Sequence, residues 1–131
     1  MPIPKVALVT GATRGAGKGI ALGLAAKGMT VYVTGRSGQT ATATLKGETL
    51  SGTLDETVAA INEAGGIGIG ITCDHGDDEQ TRQVFEQIGQ EQHRLDVLVN
   101  NAAYIHDSLI DPGGFWEKPL DLVRILDIGL R

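Results

Sequence analysis

A doubly wound α/β fold built on a parallel sheet is what this sequence predicts, and three observations predict it. Short apolar, β-branched segments near residues 6, 31, 67 and 95 alternate with segments whose apolar residues recur at helical spacing. Gly11, Gly15 and Gly17 stand on the turn between the first such segment and the helix after it. The chain carries 19 glycines in 131 residues, about double ordinary usage, as close helix–sheet packing and tight turns require.

Val6-Ala7-Leu8-Val9-Thr10 is an apolar run suited to a strand buried on both faces. Ile20, Ala21, Leu24 and Ala25 then recur at helical spacing, which places the motif Thr10-Gly11-Ala12-Thr13-Arg14-Gly15-Ala16-Gly17 on a strand-to-helix turn. Such a turn aims unpaired backbone N–H groups and the positive end of a helix dipole at one spot. A phosphate fits there, and glycines let it approach the backbone closely. Gly11, Thr13, Arg14, Gly15, Ala16 and Gly17 are therefore candidate phosphate-site residues. The spacing differs from G-x-G-x-x-G and from a P-loop, and a tight turn without a ligand is the alternative.

Lys27-Gly28 ends the first helix, and Val31-Tyr32-Val33-Thr34 forms the second strand. In a dinucleotide fold an acid about 20 positions past the glycines would accept a hydrogen bond from the adenosine ribose 2′-OH. Here Gly35-Arg36-Ser37 follows the strand, without that acid. Arg36 stands where a 2′-phosphate would lie, and Arg14 could reach the same group; two solvated loop charges are the plainer reading. Gly38 to Leu50 is Thr-rich and weakly patterned, so a flexible, exposed excursion is expected, with a cover over one end of the site as the other option.

Thr53-Leu54-Asp55-Glu56 is a capping box opening a helix that runs through Ala64, with Leu54, Val58 and Ile61 inward and Gly65-Gly66 at its end. Ile67, Ile69 and Ile71 alternate with Gly68 and Gly70: a third strand with one nearly bare face, against which a helix can pack closely. Asp74 follows, a turn acid or cap by itself. Asp77 or Asp78 caps the next helix, with Val84, Phe85 and Ile88 inward and Glu86, Glu91 and Arg94 outward. Leu95 to Val99 is the fourth strand. Asn100-Asn101-Ala102-Ala103 leaves its C-terminal end, where open α/β sheets bind ligands. Tyr104 to Gly114 reads as a loop, and Pro119 opens a last helix with Leu122, Val123, Ile125 and Leu126 on its apolar face. The expected strand order is 3-2-1-4 with right-handed crossovers.

A net charge of −5 argues against nucleic acid or an anionic membrane as partner. The single Cys73 excludes an internal disulfide and suits a reducing compartment, so a cytoplasmic location is expected, with Cys73 as a small buried hydrophobe. His75, His93 and His106 lack metal-ligand spacing, and no metal is expected. A first strand starting near residue 5 leaves no space for a signal peptide, and no apolar run is long enough to span a membrane.

The glycine motif, Asp74 and Leu95-Asp96-Val97-Leu98-Val99-Asn100-Asn101-Ala102 together resemble the short-chain dehydrogenase/reductase family, over the whole chain. Phe115-Trp116-Glu117 and Gly129-Leu130-Arg131 resemble one branch of it. The resemblance implies the N-terminal half of a Rossmann-like sheet, and hydride transfer between a nicotinamide cofactor and a carbonyl or alcohol substrate. Basic residues at Arg14 and Arg36 imply NADP, with NADPH favoured over NADH. Asp74 falls at the family's acid for the adenine amino group, with the backbone of His75 beside it. Asn100, Asn101, Ala102 and Ala103 fall where backbone meets the cofactor ribose, Ala103 replacing the family's usual glycine. The last helix falls where family members pack against a mate, so a homo-oligomer is expected, an intramolecular core face being the rival.

Two features depart from the family. Its Tyr-x-x-x-Lys is unmatched: Tyr32 is followed four residues on by Arg36, and Tyr104 by Ser108. Its helix Asn falls at or near Asp127. Residues 1–131 are thus expected to be the dinucleotide-binding domain of a longer reductase, inactive without the catalytic half. A stand-alone non-catalytic nucleotide-binding or regulatory module, or one chain of a split enzyme, is the alternative.

Overall fold

The computed structural model describes residues 3–38, 40–41 and 44–130. Four parallel strands form the central sheet: β1 (Val6–Val9), β2 (Thr30–Gly35), β5 (Ile67–Thr72) and β6 (Val97–Val99). Their spatial order is β5-β2-β1-β6. Over these four parallel strands, that is the 3-2-1-4 arrangement expected from the sequence. Every residue of β1 and β2 is buried, β1 as an unbroken apolar run and β2 with Thr30 and Thr34 among its buried residues.

Period-two alternation along β1 sorts the core into two layers. Val9 packs with Ala12, Ala21, Ala25, Val31, Val33, Leu54 and Ile61 beneath α1 (Gly15–Ala25) and α2 (Leu54–Glu63). Val6 and Leu8 pack on the opposite face with Tyr32, Cys73, Val84 and Ile88 beneath α3 (Asp78–Gln92). Cys73 is a free, buried thiol whose pKa burial pushes up. Phe85, expected inward, is 40 % exposed; Val84 and Ile88 alone fill that stripe. The bare face of β5 has its helix: a Cβ on Gly68 would sit 3.0 Å from the Val58 carbonyl oxygen. Caps follow the sequence, with Thr53 Oγ1 accepting from Glu56 N–H at 3.2 Å and Asp77 Oδ1 from Glu79 N–H at 3.0 Å.

Two segments differ from expectation. Within the Gly38–Leu50 stretch the chain forms a hairpin, β3 (Thr44–Leu45) paired antiparallel with β4 (Glu48–Thr49). Its turn, Lys46-Gly47, has positive φ at both residues, +52° and +81°, the type I′ geometry that matches strand twist. Gln39, Thr42 and Ala43 of that stretch lie outside the described residues. The last helix is a 3₁₀ segment, Leu120–Leu126, with no buried residue. Helices draw most of their stability from packing an apolar face, and this one has no such partner here: Leu120 is 91 % and Val123 60 % exposed.

Candidate cofactor site

The C-terminal ends of β1, β2, β5 and β6 converge on the glycine-rich turn. Thr10 fastens two of them together. Its hydroxyl accepts from Asn101 N–H at 3.0 Å and Ala102 N–H at 2.9 Å. Asn101 returns the contact, its Nδ2 donating to the carbonyls of Thr10 (3.1 Å) and Gly11 (2.9 Å). From β2, Thr34 holds the next two residues: its hydroxyl accepts from Gly11 N–H at 3.4 Å and its carbonyl from Ala12 N–H at 2.9 Å. From α2, the buried Thr57 hydroxyl donates to the Ala12 carbonyl at 2.9 Å. Thr34 and Thr57 were not singled out in the sequence, since a buried threonine in an apolar strand or helix carries no local signal of what it bonds.

The three motif glycines do different things. A Cβ on Gly17 would sit 2.5 Å from Asn101 Nδ2 and 2.5 Å from the Gly11 carbonyl oxygen. The missing side chain of Gly17 makes room for these protein atoms. Gly15 is the opposite case, with φ +60° and no heavy atom within 4 Å of where its Cβ would lie. Arg14 occupies the N-cap of α1 and makes no side-chain cap bond to the first amides of the helix.

Beside this turn runs a cleft of about 270 Å³ lined by Gly11, Thr13, Arg14, Arg36, Asp74 and His75 on one side and Asn101, Ala102 and Ala103 on the other. It continues, through shared Arg14, Arg36, Ala103, Tyr104 and Ile105, into a second cleft of about 330 Å³ walled by Thr44, Leu45 and Leu50 of the hairpin stretch. Nine of the sequence-expected site residues thus meet in one place. Gly15, Ala16 and Gly17 are not among its lining residues, and Asn100 lines a neighbouring cleft with Thr10, Thr81 and Asp127 that shares His75 and Ala102 with it.

Asp74 is a turn acid: one carboxylate oxygen accepts from Gly76 N–H at 2.8 Å, while Asp77 caps α3. The His75 ring lies inward, Nε2 2.7 Å from Thr34 Oγ1 and Nδ1 3.2 Å from Thr81 Oγ1. Burial lowers its pKa, against a smaller raising effect of Asp74. A Cβ at Gly35 would lie 2.5 Å from the Thr13 methyl, so a side chain there would require Thr13 to shift.

The two tyrosines stand in different settings. Tyr32 is buried, its hydroxyl donating to Glu91 Oε2 at 3.1 Å and accepting from Gln92 Nε2 at 3.2 Å, and burial raises its pKa. Glu91, exposed as expected, also accepts from that hydroxyl. Tyr104 lies in both clefts with the Arg124 guanidinium 4.6 Å from its ring centre. His106 has an orienting partner that the sequence did not signal: its Nδ1 accepts from Ser108 N–H at 3.0 Å. Among the described residues no cluster of His, Cys, Asp or Glu suits a metal ion.

Residues 5–115 match the family model for short chain dehydrogenases. The chain belongs to the short-chain dehydrogenase family. It is 37 % identical over 131 residues to mouse dehydrogenase/reductase SDR family member 1, an alignment covering 97 % of this chain and 38 % of that protein. This short-chain dehydrogenase chain therefore spans about two fifths of that relative's length. Two solved short-chain dehydrogenases superpose well. One, from Mycobacterium thermoresistibile, has a TM-score of 0.73 at 30 % identity over 92 % of this chain and 40 % of its own. The other, from Serratia marcescens, has a TM-score of 0.74 at 31 % identity over 97 % of this chain and 45 % of its own.

Proposed function

We propose that these residues are the dinucleotide-binding part of an oxidoreductase that moves hydride between NADP(H) and a small carbonyl or alcohol substrate. Arg14 and Arg36 facing one cleft with the glycine-rich turn, with Gly35 in place of an acid at the end of β2, is the observation that carries the reading. The residues suit a dinucleotide. Open space at Gly15 and the uncapped first amides of α1 would receive a pyrophosphate. Arg36 and Arg14 would receive a 2′-phosphate through charge-assisted hydrogen bonds. The second Asp74 oxygen and the His75 backbone would meet adenine, and Asn101 to Ala103 the nicotinamide ribose, with the Ala103 methyl narrowing that wall. When bound, the nicotinamide supplies the hydride.

In this reading the proton for the reduced oxygen comes from residues beyond this chain's own set, since Tyr32 is buried and Tyr104 is followed by Ser108 at the lysine position. Asp127, exposed beside Asn100, would repel a forming alkoxide. The exposed Leu120, Val123 and Leu126 support packing against a second copy. The buried, unpaired Cys73 supports a cytoplasmic setting.

Calorimetric titration of NADPH and NADH against the parent protein and Arg36→Asp tests the reading. NADPH is expected to bind the parent more tightly. A charged hydrogen bond contributes about 1.5–3 kcal/mol, so the substitution should weaken NADPH by roughly 10- to 100-fold and NADH far less. Equal parent affinities would overturn the NADP preference, and binding of neither would overturn the cofactor reading.

A further inference from the structure

The geometry points to the His75 side chain as a positioning residue that sets the glycine-rich turn through the Thr34 hydroxyl. This rests on the cofactor reading above only for its consequence; the linkage stands on the structure. Four groups line up: Gly11 N–H, Thr34 Oγ1 at 3.4 Å from it, the two His75 nitrogens, and Thr81 Oγ1, which lies 3.4 Å from the Asp77 carbonyl oxygen. Thr34 is fully buried, so its hydroxyl hydrogen needs a protein acceptor.

One arrangement of hydrogens satisfies every member. Gly11 N–H donates to Thr34 Oγ1, Thr34 O–H donates to His75 Nε2, His75 Nδ1–H donates to Thr81 Oγ1, and Thr81 O–H donates to the Asp77 carbonyl. It requires a neutral imidazole carrying its proton on Nδ1. In the other neutral tautomer, or in the imidazolium, Nε2–H points at Thr34 Oγ1 and the buried Thr34 hydrogen is left without an acceptor. The relay therefore couples the ring's proton to the residue that opens the glycine turn, Gly11.

Burial, which disfavours the charged ring, acts in the direction the relay needs. The charged groups around the ring come from every side. Asp74 precedes it, Asp78 and Asp127 share its cleft toward β6, and Arg14 and Arg36 share its cleft toward the glycine turn. Cys73 Sγ lies 3.9 Å from Nδ1.

The consequence is that acid loosens cofactor binding through His75, over and above any titration of the ligand's own phosphate. The discriminating variant is His75→Gln, whose amide oxygen reaches the Nε2 position and accepts from Thr34 O–H without titrating. NADP⁺ is titrated calorimetrically against both proteins from pH 8 to pH 5.5. Each affinity is referred to the same protein's value at pH 8. Toward pH 5.5 the parent should lose roughly 3- to 10-fold more affinity than the variant, the worth of one net hydrogen bond. Parallel profiles would overturn the proposal. Nitrogen-15 NMR of the imidazole supplies a readout that needs no cofactor. The Nδ1–H tautomer at pH 8, with a Gly11 amide resonance that titrates along with the ring in the parent but not in the variant, is the expected result. An Nε2–H tautomer, or a Gly11 amide indifferent to the ring, would overturn it. A parent that binds no cofactor at pH 8 would sink the cofactor reading while the NMR arm still decides the linkage.

Discussion

Substituting Gly17 and Gly15 by alanine, one at a time, separates what the glycine motif does for the fold from what it does for a ligand. A methyl on Gly17 would fall 2.5 Å from both Asn101 Nδ2 and the Gly11 carbonyl oxygen, and one of them must move. Overpacking of that kind costs about 1–3 kcal/mol. Displacing Asn101 also loses its bonds to the Thr10 and Gly11 carbonyls, at 3.1 and 2.9 Å, for roughly 0.5–1.5 kcal/mol each. Alanine's better helix propensity returns up to about 1 kcal/mol. The net expectation for Gly17→Ala is a loss of about 1–6 kcal/mol. Gly15→Ala meets nothing within 4 Å and is charged only for its φ of +60°, about 1–2 kcal/mol. The assay is urea unfolding followed by circular dichroism. With slopes of about 1–3 kcal/mol per molar urea for small proteins, the midpoint of Gly17→Ala should fall visibly. Gly15→Ala should shift it less and instead weaken NADPH binding, because its methyl occupies the open side of the turn. A Gly17→Ala protein as stable as the parent would refute the packing argument.

Three further expectations follow from the same geometry. Thr10→Val removes the acceptor shared by the Asn101 and Ala102 amides and should cost about 1–3 kcal/mol in urea unfolding, whereas Thr10→Ser should restore most of it. The Asp96 carboxyl is held below the usual carboxylate range by Arg94 first and then by the Val6 N–H, at 2.6 and 2.8 Å. A lowered folded-state pKa stabilises above the unfolded value and is lost as pH falls through the folded one. The gap in melting temperature between the parent and Asp96→Asn should accordingly be largest near neutrality and narrow as pH falls below the ordinary aspartate value of about 3.9. NADPH oxidation by this chain with a panel of aldehydes, ketones and quinones should stay near background, as general acid catalysis typically contributes ~10²–10⁴-fold. Robust turnover that His106→Ala abolishes would show that His106, braced by Ser108, serves as the acid.

The parallel strands were legible because their signals are local. A strand buried on both faces draws on apolar and β-branched residues, as β1 and β2 do, β2 with Thr30 and Thr34 among them. The Ile-Gly alternation of β5 announced the close approach of a helix, and Gly68 and Gly70 do lie against α2. The β3–β4 hairpin was missed although its signal is present: Lys46-Gly47 is a two-residue turn between pairs containing Thr44 and Thr49. A short, exposed, Thr-rich hairpin lacks the apolar alternation that reveals longer ones. The 3₁₀ course of Leu120–Leu126 was not legible, since its apolar spacing suits an α-helix and only the lack of a packing partner decides otherwise.

The site shows the same division. The glycine turn and the residues after β6 could be placed from sequence because each sits at a strand end. What holds them could not. Thr34 and His75 are separated by 41 positions, Ala12 and Thr57 by 45. Such contacts exist only once the strand order brings them together. Spacing alone also could not distinguish Gly17, which accommodates Asn101, from Gly15, which faces open space.

The central claim is that the glycine turn, the start of α1 and the cleft beside Arg14 and Arg36 hold a dinucleotide 2′-phosphate and pyrophosphate. Amide resonances of the nitrogen-15-labelled protein, followed as NADPH and then NADH are added, test it most directly. The account predicts saturable shifts at Gly11, Arg14, Gly15, Ala16, Asp74 and His75 with both ligands, and at Arg36 with NADPH alone. Shifts confined to the β3–β4 hairpin or the Leu120–Leu126 segment, or no saturable shift in the glycine turn with either ligand, would contradict it.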